Sequence, residues 1–244
     1  IARVGAGLEN IDVEYAYSKN IHLIAAPEGN RNAVGEHTIG LLLSLMNKLR
    51  VGHQSIQQGN WHREEHRGWE LEGKTVGIIG YGNTGKNFAK KLKGFNVNVI
   101  FNDILPDLGD ANASQVDIKT LQGQSDVLSL HIPETQSTHR MINTSFIEGF
   151  ENTFWFLNTS RGKAVVTEDL VAGLRSGKIL GAGLDVLEYE SASFRSILKT
   201  TARPKALEYL ISAENVLLSP HIAGWTFESH RKLAQTILDK INAL

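Results

Sequence analysis

A glycine-rich segment, residues 74–103, constrains the fold more than any other stretch. Its first apolar run ends at Gly80, and Gly80, Gly82 and Gly85 stand at the spacing G-x-G-x-x-G. A helical stretch follows, and a second apolar run ends at Asp103. This order of strand, glycine turn, helix, strand and acid is typical of a dinucleotide-binding unit. The first glycine allows a tight turn, the second lets backbone approach a pyrophosphate, and the third lets helix pack against strand.

The same segment predicts how a nucleotide would be held. Free N–H groups at the N-terminus of the helix can receive the charge of a phosphate. Asp103 stands where a carboxylate accepts the hydroxyls of an adenosine ribose. No Arg follows Asp103 in the run Ile104-Leu105-Pro106 to neutralise a 2′-phosphate, so the predicted cofactor is NAD.

Composition excludes several classes of function. The 25 basic and 26 acidic residues nearly cancel, which gives no support to a nucleic-acid partner or a membrane-surface patch. The absence of cysteine excludes disulfides, a thiol nucleophile and a thiolate metal site. Without a secretory signal or a membrane-spanning run, we expect a cytoplasmic protein. Because the sequence begins at Ile1 rather than Met, we also expect its natural N-terminus to lie upstream.

One short segment matches a metal pattern. His62 and His66 bracket the sequence H-x-x-E-H, which some zinc enzymes use. The glycines and tryptophans on both sides indicate a polar turn instead. We therefore predict no metal site.

Short apolar runs recur along the sequence after residue 74, and each ends at a glycine or a polar residue. These ends are Gly80, Asp103, His131, Asn158, Asp185 and His221. Each interval is long enough for a helix crossover, and no sequence repeat accompanies the pattern, so it predicts βα alternation. The expected fold is α/β, with a Rossmann-type doubly wound parallel sheet. The strand ends should converge at one edge, where ligands bind.

Three further helices are predicted around this sheet. The strongest spans 34–50 and should be buried on most sides because its apolar residues cover more than one face. Residues 51–73 are interpreted as a polar connection, and 21–25 as a strand. A second helix spans 167–175, with Thr167 as its N-cap and Gly177 closing it. The third spans 226–244 with a predicted inward face of Phe227, Leu233, Ala234, Ile237, Leu238 and Ile241.

Three segments at strand ends carry groups suited to chemistry. Arg161, in the sequence Asn-Thr-Ser-Arg-Gly, can clamp a carboxylate bidentately and polarise a carbonyl. Residues 183–190 contain Asp185, Glu188 and Glu190. His221 follows a proline at another strand end, and imidazole can move a proton near neutral pH.

These blocks resemble the D-isomer-specific 2-hydroxyacid dehydrogenase family, most closely its D-3-phosphoglycerate dehydrogenase branch. The resemblance is carried in sequence order by residues 3–12, 34–37, the glycine loop, 158–162, 184–186 and 220–222. It implies a Rossmann-type NAD-binding domain at 34–220. It also implies part of a smaller flavodoxin-like substrate domain at 1–33, to which the segment 221–244 returns.

The resemblance implies roles for individual residues. Arg161 would clamp the substrate, His221 would be the acid/base, and Glu190 would hydrogen-bond His221. The family usually has proline where Ser191 stands, so the choice between Glu190 and Glu188 is open. The implied cofactor-binding set is Gly80, Gly82, Asn83, Thr84, Gly85, Asp103, His131, Thr159, Ser160, Asp185 and Gly224, and Ala6 and Gly7 would bind substrate with Arg161.

The function implied by the resemblance is NAD-dependent conversion of a small D-2-hydroxy acid. The first candidate substrate is 3-phosphoglycerate, oxidised to 3-phosphohydroxypyruvate in serine biosynthesis. The alternatives are a glyoxylate or hydroxypyruvate reductase, and an NAD-sensing corepressor of the same fold. We further expect a homodimer that pairs through the helix at 34–50.

Overall fold

The computed structural model describes residues 1–8, 10–190 and 203–243, so Glu9, Ser191 and Leu244 lie outside it. Its centre is a seven-stranded parallel sheet in the order β3-β2-β1-β4-β5-β6-β7. The strands are β1 Thr75–Ile79, β2 Asn98–Asn102, β3 Ser114–Gln115, β4 Val127–Leu130, β5 Phe154–Asn158, β6 Ile179–Leu184 and β7 Val216–Leu218. The order reverses between β1 and β4, which opens a crevice at their carboxyl ends. The predicted α/β Rossmann-type fold is confirmed.

The described residues also form nine α-helices, six of which (α2 and α4 to α8) cover the two faces of the sheet. They are α1 Val13–Ser18, α2 Arg31–Met46, α3 Leu49–Gln57, α4 Asn83–Leu92, α5 Ile118–Gln124, α6 Thr144–Glu148, α7 Thr167–Ser176, α8 Lys205–Ser212 and α9 Phe227–Asn242. Helices α2 and α4 pack on one face in a cluster with Val76 and Phe101. Helices α5 to α8 pack on the other face with Leu128 and Phe156. The sheet is therefore buried from both sides, as the continuous apolar strands require.

Both predicted ends of the helix at 34–50 are wrong. It begins at Arg31 and stops at Met46, because Lys48 takes a left-handed conformation with φ 51°. A new helix, α3, then covers residues interpreted as a polar connection. Arg50, expected to end the long helix, instead donates from α3 to the carbonyl oxygens of Ala213 and Glu214 at 2.9 and 3.0 Å.

The N-cap of helix α7 lies one residue earlier than predicted. Val166 is the N-cap, and the hydroxyl of Thr167 donates to Glu188 at 2.8 Å instead of capping the helix. At the other end the prediction is confirmed, since Gly177 closes the helix in the left-handed region with φ 77°.

Helix α9 buries a narrower stripe than its sequence predicts. Thr226 caps it through a reciprocal pair of bonds with Ser229, but of the six residues predicted inward only Leu233 and Ile237 are buried. Phe227 is 90% exposed, and Ala234, Leu238 and Ile241 are also exposed. The reason is the small surface that α9 contacts, a cluster with Ala26 and Ile24.

Residues 24–29 pack against α9 rather than into the sheet. The predicted strand at 21–25 is reduced to a single parallel bridge between Ala2 and Ile24. Lys240 of α9 donates to the carbonyl of Ala25 and pairs with Glu28 at 2.9 Å. No helix in the described ranges is long and apolar enough to cross a membrane.

Candidate active site

A cleft of about 820 Å³ lies where the strand ends meet. Among its lining residues are thirteen of the predicted site residues, namely Ala6, Gly7, Gly82, Asn83, Thr84, His131, Thr159, Ser160, Arg161, Asp185, Glu190, His221 and Gly224. Gly80, Gly85 and Asp103 do not line the cleft. The structure thus brings together side chains that are up to 218 positions apart in the sequence.

The glycine loop connects β1 to α4. At Gly80 and Gly85 it passes so close to other backbone that a side chain would not fit. A Cβ on Gly80, which has φ 89°, would lie 2.4 Å from the carbonyl oxygen of His131. A Cβ on Gly85 would lie 2.1 Å from the carbonyl oxygen of Gly80. Gly82 has a different role. It is the N-cap of α4 and faces open space, and because it has no side chain it makes no capping hydrogen bond to the helix. The first N–H groups of α4 are therefore left for an anion, which fits a pyrophosphate.

Asp103 is tied to the glycine loop. Its Oδ2 accepts a hydrogen bond from the Tyr81 N–H at 2.6 Å, and its Oδ1 accepts one from the Leu105 N–H at 3.0 Å. Each carboxylate oxygen has a second lone pair for a ribose hydroxyl. Ile104, the next side chain, is 96% exposed and carries no charge. This environment fits an unphosphorylated ribose.

His131 is a buried, neutral wall of the cleft. It is 7% exposed, and burial lowers its pKa to about 3. Its Nε2 lies 2.9 Å from the Ser129 hydroxyl, while Nδ1 has no hydrogen-bond partner among the described residues. Its ring packs at 5.3 Å from that of Phe88.

The turn after β5 delivers Arg161 to the cleft. The Asn158 side chain makes this turn, because its Oδ1 accepts from the N–H and hydroxyl of Ser160 at 3.0 and 2.9 Å. Its Nδ2 donates to the carbonyl of Arg161 at 3.0 Å. Thr159, on the same turn, lies 3.0 Å from the Thr38 hydroxyl of α2. A side chain at the strand end thus fixes the whole turn.

His221 and Glu190 form a pair at the cleft. Nδ1 of His221 lies 2.7 Å from Oε2 of Glu190, and both side chains are half-buried. The other Glu190 oxygen accepts from the Leu187 N–H at 2.6 Å. Glu188 lies elsewhere, since its carboxylate contacts Arg140 at 2.7 Å and Thr167 at 2.8 Å. Of the two glutamates between which the sequence left the choice open, Glu190 contacts the His221 ring and Glu188 does not.

Asp185 has more contacts than its predicted role requires. It is 1% exposed, and its carboxylate accepts from the Ser219 hydroxyl at 2.5 Å and the N–H groups of Ile222 and Ala223 at 2.8 and 2.7 Å. Its backbone carbonyl accepts from the His221 N–H at 2.8 Å. Asp185 therefore organises the turn that carries His221.

Two residues that contact this turn had no predicted role in the site, although Asn30 was a candidate N-cap of the helix that contains His37. His37 of α2 places Nε2 2.9 Å from the Ser219 hydroxyl. Asn30 packs against Gly224, where an added Cβ would lie 2.5 Å from the Asn30 amide nitrogen. The available signal was their place at the polar start of an otherwise apolar helix.

The segment with the zinc pattern is an exposed turn. Nδ1 of His66 lies 2.6 Å from the carbonyl oxygen of His62. Within the described ranges, no group of three or more His, Asp or Glu side chains could hold a metal ion.

The fold and the cleft together define the class of Rossmann-type NAD-binding dehydrogenases. The glycine loop, the acid at the end of β2 and the strand-end residues all belong to that architecture. The chain belongs to the D-isomer specific 2-hydroxyacid dehydrogenase family, because residues 39–223 match the NAD-binding domain of that family. It is therefore an NAD-dependent oxidoreductase that acts on a CH–OH group.

Three relatives illustrate the match. The chain is 35% identical over 241 residues to a hydroxypyruvate reductase of Thermotoga maritima, covering 99% of this chain and 76% of that one. It is 32% identical over 246 residues to a D-3-phosphoglycerate dehydrogenase of Archaeoglobus fulgidus, covering 99% and 44%. A D-lactate dehydrogenase from Aquifex aeolicus, solved with NAD and lactic acid, superposes with a TM-score of 0.88 at 29% identity, covering 100% of this chain and 75% of that one.

Proposed function

We propose that this protein interconverts a small D-2-hydroxy acid and its 2-keto acid, with Arg161, His221 and Glu190 as the working residues. The observation that carries the proposal is the His221–Glu190 pair, at 2.7 Å, in the same cleft as Arg161. A guanidinium for a carboxylate and an imidazole for a hydroxyl proton are the two groups that a 2-hydroxy acid requires.

The cofactor would occupy the glycine-loop side of the cleft. Gly82, Asn83 and Thr84 would hold the pyrophosphate at the N-terminus of α4, and Asp103 would accept the adenosine ribose hydroxyls. His131, Thr159, Ser160, Asp185 and Gly224 would wall the nicotinamide end. When bound, the nicotinamide supplies hydride transfer at the carbon of the substrate.

The substrate would be oriented by two groups. Arg161 would bind its carboxylate bidentately, and the backbone at Ala6 and Gly7, in the same cleft, would offer N–H groups to that carboxylate. His221 would take the hydroxyl proton during oxidation and return a proton to the carbonyl oxygen during reduction. Because Nδ1 contacts Glu190, this exchange would use Nε2, and the carboxylate would stabilise the imidazolium.

The substrate substituent we propose is small and uncharged, as in hydroxypyruvate or glyoxylate. Lys163, at the rim of the cleft, is paired with Glu134 at 2.9 Å. The carboxylate of Glu134 offsets the positive charge that would attract a phosphate group on the substrate. The hydroxypyruvate reductase relative, aligned over 76% of its length, supports the same substrate class. Arg3 also lines the cleft, and this second cation favours 3-phosphohydroxypyruvate as the alternative substrate.

A panel of 2-keto acids tests the proposal directly. Oxidation of NADH would be followed by absorbance with hydroxypyruvate, glyoxylate, pyruvate and 3-phosphohydroxypyruvate. We expect kcat/KM to be highest for hydroxypyruvate or glyoxylate. A preference for the phosphorylated acid would identify the alternative, and NADH binding without turnover of any acid would identify an NAD-sensing protein instead.

A further inference from the structure

We propose that His37 is a positioning residue for His221 and acts on it through Ser219 and Asp185. The inference rests on the acid/base role proposed for His221. His37 lies on α2, remote in sequence from the strand-end segments.

The contacts form a continuous network. Nε2 of His37 lies 2.9 Å from the Ser219 hydroxyl and 3.5 Å from Oδ1 of Asp185. The Ser219 hydroxyl lies 2.5 Å from the same carboxylate oxygen. Asp185 then holds the backbone of the three residues that follow Pro220, through its carbonyl and both carboxylate oxygens.

The direction of each hydrogen bond follows from the number of protons. Ser219 has one hydroxyl hydrogen, and the Asp185 carboxylate only accepts in these contacts, so the hydrogen lies between Ser219 and Asp185. The Ser219 oxygen must then accept from His37, which requires a hydrogen on Nε2. The N–H of His37 therefore orients the hydroxyl, and the hydroxyl helps to orient the carboxylate.

The orientation matters because His221 has an unusual backbone. Its φ is 56°, a left-handed conformation that residues with a side chain rarely adopt. Surrounding contacts must hold such a residue. Here they are the bonds from the His221 N–H to the carbonyl oxygens of Asp185 and Ser219, at 2.8 and 3.1 Å. A shift of Asp185 would turn the imidazole away from Glu190.

The same three residue types form the triad of serine hydrolases, but the geometry is different here. In a triad the acid contacts Nδ1 of the histidine and the serine hydrogen points to Nε2. In this protein Asp185 contacts Ser219 directly and lies on the Nε2 side of His37. The Ser219 hydroxyl is therefore engaged as a donor to a carboxylate and is not an activated nucleophile.

Two substitutions of His37 separate positioning from bulk packing. His37→Leu removes the donor, whereas His37→Gln keeps an N–H at the end of a side chain of similar reach. With hydroxypyruvate and NADH, or the best acid of the panel, we expect kcat to fall about tenfold in His37→Leu and to recover in His37→Gln, with the Kd of NADH changed less than kcat. Ser219→Ala should lose as much as His37→Leu, and the double variant should lose no more, because both act on one network.

A readout without cofactor completes the test. Side-chain ¹⁵N spectra of histidine, assigned with His221→Asn, report the contact between His221 and Glu190 in the apo protein. We expect the His221 signal to move in His37→Leu and Ser219→Ala but not in His37→Gln. Wild-type kcat and an unmoved signal in both His37→Leu and Ser219→Ala would overturn the positioning role while leaving the proposed function intact. Wild-type kcat in His221→Asn would instead overturn the proposed function, and this inference with it.

Discussion

Oε2 of Glu190 lies 2.7 Å from Nδ1 of His221, and this contact fixes which ring nitrogen faces the carboxylate. The pair joins two segments 31 positions apart, the loop after β6 and the turn after β7. A carboxylate at this nitrogen holds one tautomer of the neutral ring and stabilises its protonated form. This is the contact that the acid/base role proposed for His221 requires, and both side chains are half-buried.

The first prediction is that His221→Asn removes most of the turnover. Proton transfer needs the imidazole, whereas the glycine loop that would hold the cofactor lies on other elements. We expect kcat to fall by about 10²-fold or more, with the Kd of NADH nearly unchanged. Steady-state kinetics and fluorescence titration measure the two quantities. A variant with wild-type kcat would exclude His221 as the acid/base.

The second prediction compares two neighbouring glutamates. Glu190→Gln removes the charge beside the His221 ring, so we expect kcat to fall by at least about tenfold. Glu188→Gln is the matched control, because that side chain contacts Arg140 and Thr167 instead. It should keep wild-type kcat. Equal effects of the two substitutions on kcat would contradict the assignment.

The third prediction concerns cofactor choice. Asp103 would repel a 2′-phosphate, and the exposed Ile104 beside it offers no cation. NADH should bind at least tenfold more tightly than NADPH, or about 1.4 kcal/mol. Ile104→Arg should narrow that difference, because arginine next to the acid can pair with the phosphate, while Ile104→Gln should not. Fluorescence titrations of both cofactors provide the test, and equal dissociation constants in the wild type would refute it.

The sheet and the convergence of strand ends could be predicted because both depend on local patterns. Apolar runs that end at a polar residue mark parallel strands, and parallel strands bring their ends to one edge. The break at Lys48 gave no such signal, since a left-handed residue other than glycine leaves no clear pattern. The exposed side of α9 could not be predicted either, because burial depends on what the helix meets.

Parts of the site were also beyond the sequence. The spacing of Glu188 and Glu190 could not decide between them, because a loop rather than a regular strand carries both. The contact between His37 and Ser219 joins residues 182 positions apart, and no motif links them. Contacts of this kind arise only when helix and strand ends are packed together.

The fourth prediction is a C₂ homodimer, now placed on a different surface. Most apolar residues of α2 are buried within the protomer, so that helix cannot supply the interface alone. Leu49, Ile56, Trp61 and Trp69, on α3 and the segment after it, are exposed large apolar residues. Exposed large apolar residues are candidates for an interface, and in a C₂ dimer the same residues of the two copies would meet.

Sedimentation at micromolar concentration tests this assembly. We expect the wild type to sediment as a dimer, and Ile56→Glu, together with Trp61→Glu, to sediment as a monomer. Ile104→Glu is the control, since that side chain is also apolar and is more exposed than Ile56 or Trp61, but it lies beside the glycine loop. A wild type that sediments as a stable monomer would refute the prediction.

The last prediction is a pH dependence of stability that originates at His131. Burial lowers the pKa of this residue from 6.5 to about 3 in the folded protein. Between these values the unfolded state binds a proton at His131 and the folded state remains unprotonated there. The free energy of unfolding therefore falls as pH drops below 6.5, by about 1.4 kcal/mol for each pH unit.

Comparison with His131→Gln isolates this effect from all other titrating groups. The glutamine can still accept a hydrogen bond from the Ser129 hydroxyl, but it does not titrate. The quantity to compare is therefore the change in the free energy of unfolding with pH, rather than its value at one pH. Urea unfolding at pH 7 and pH 5 should show the wild type losing about 2 kcal/mol more than the variant over that interval. If the wild type and the variant lost the same free energy of unfolding between pH 7 and pH 5, His131 would also bind a proton in the folded state. That result would contradict the prediction that the buried His131 stays neutral.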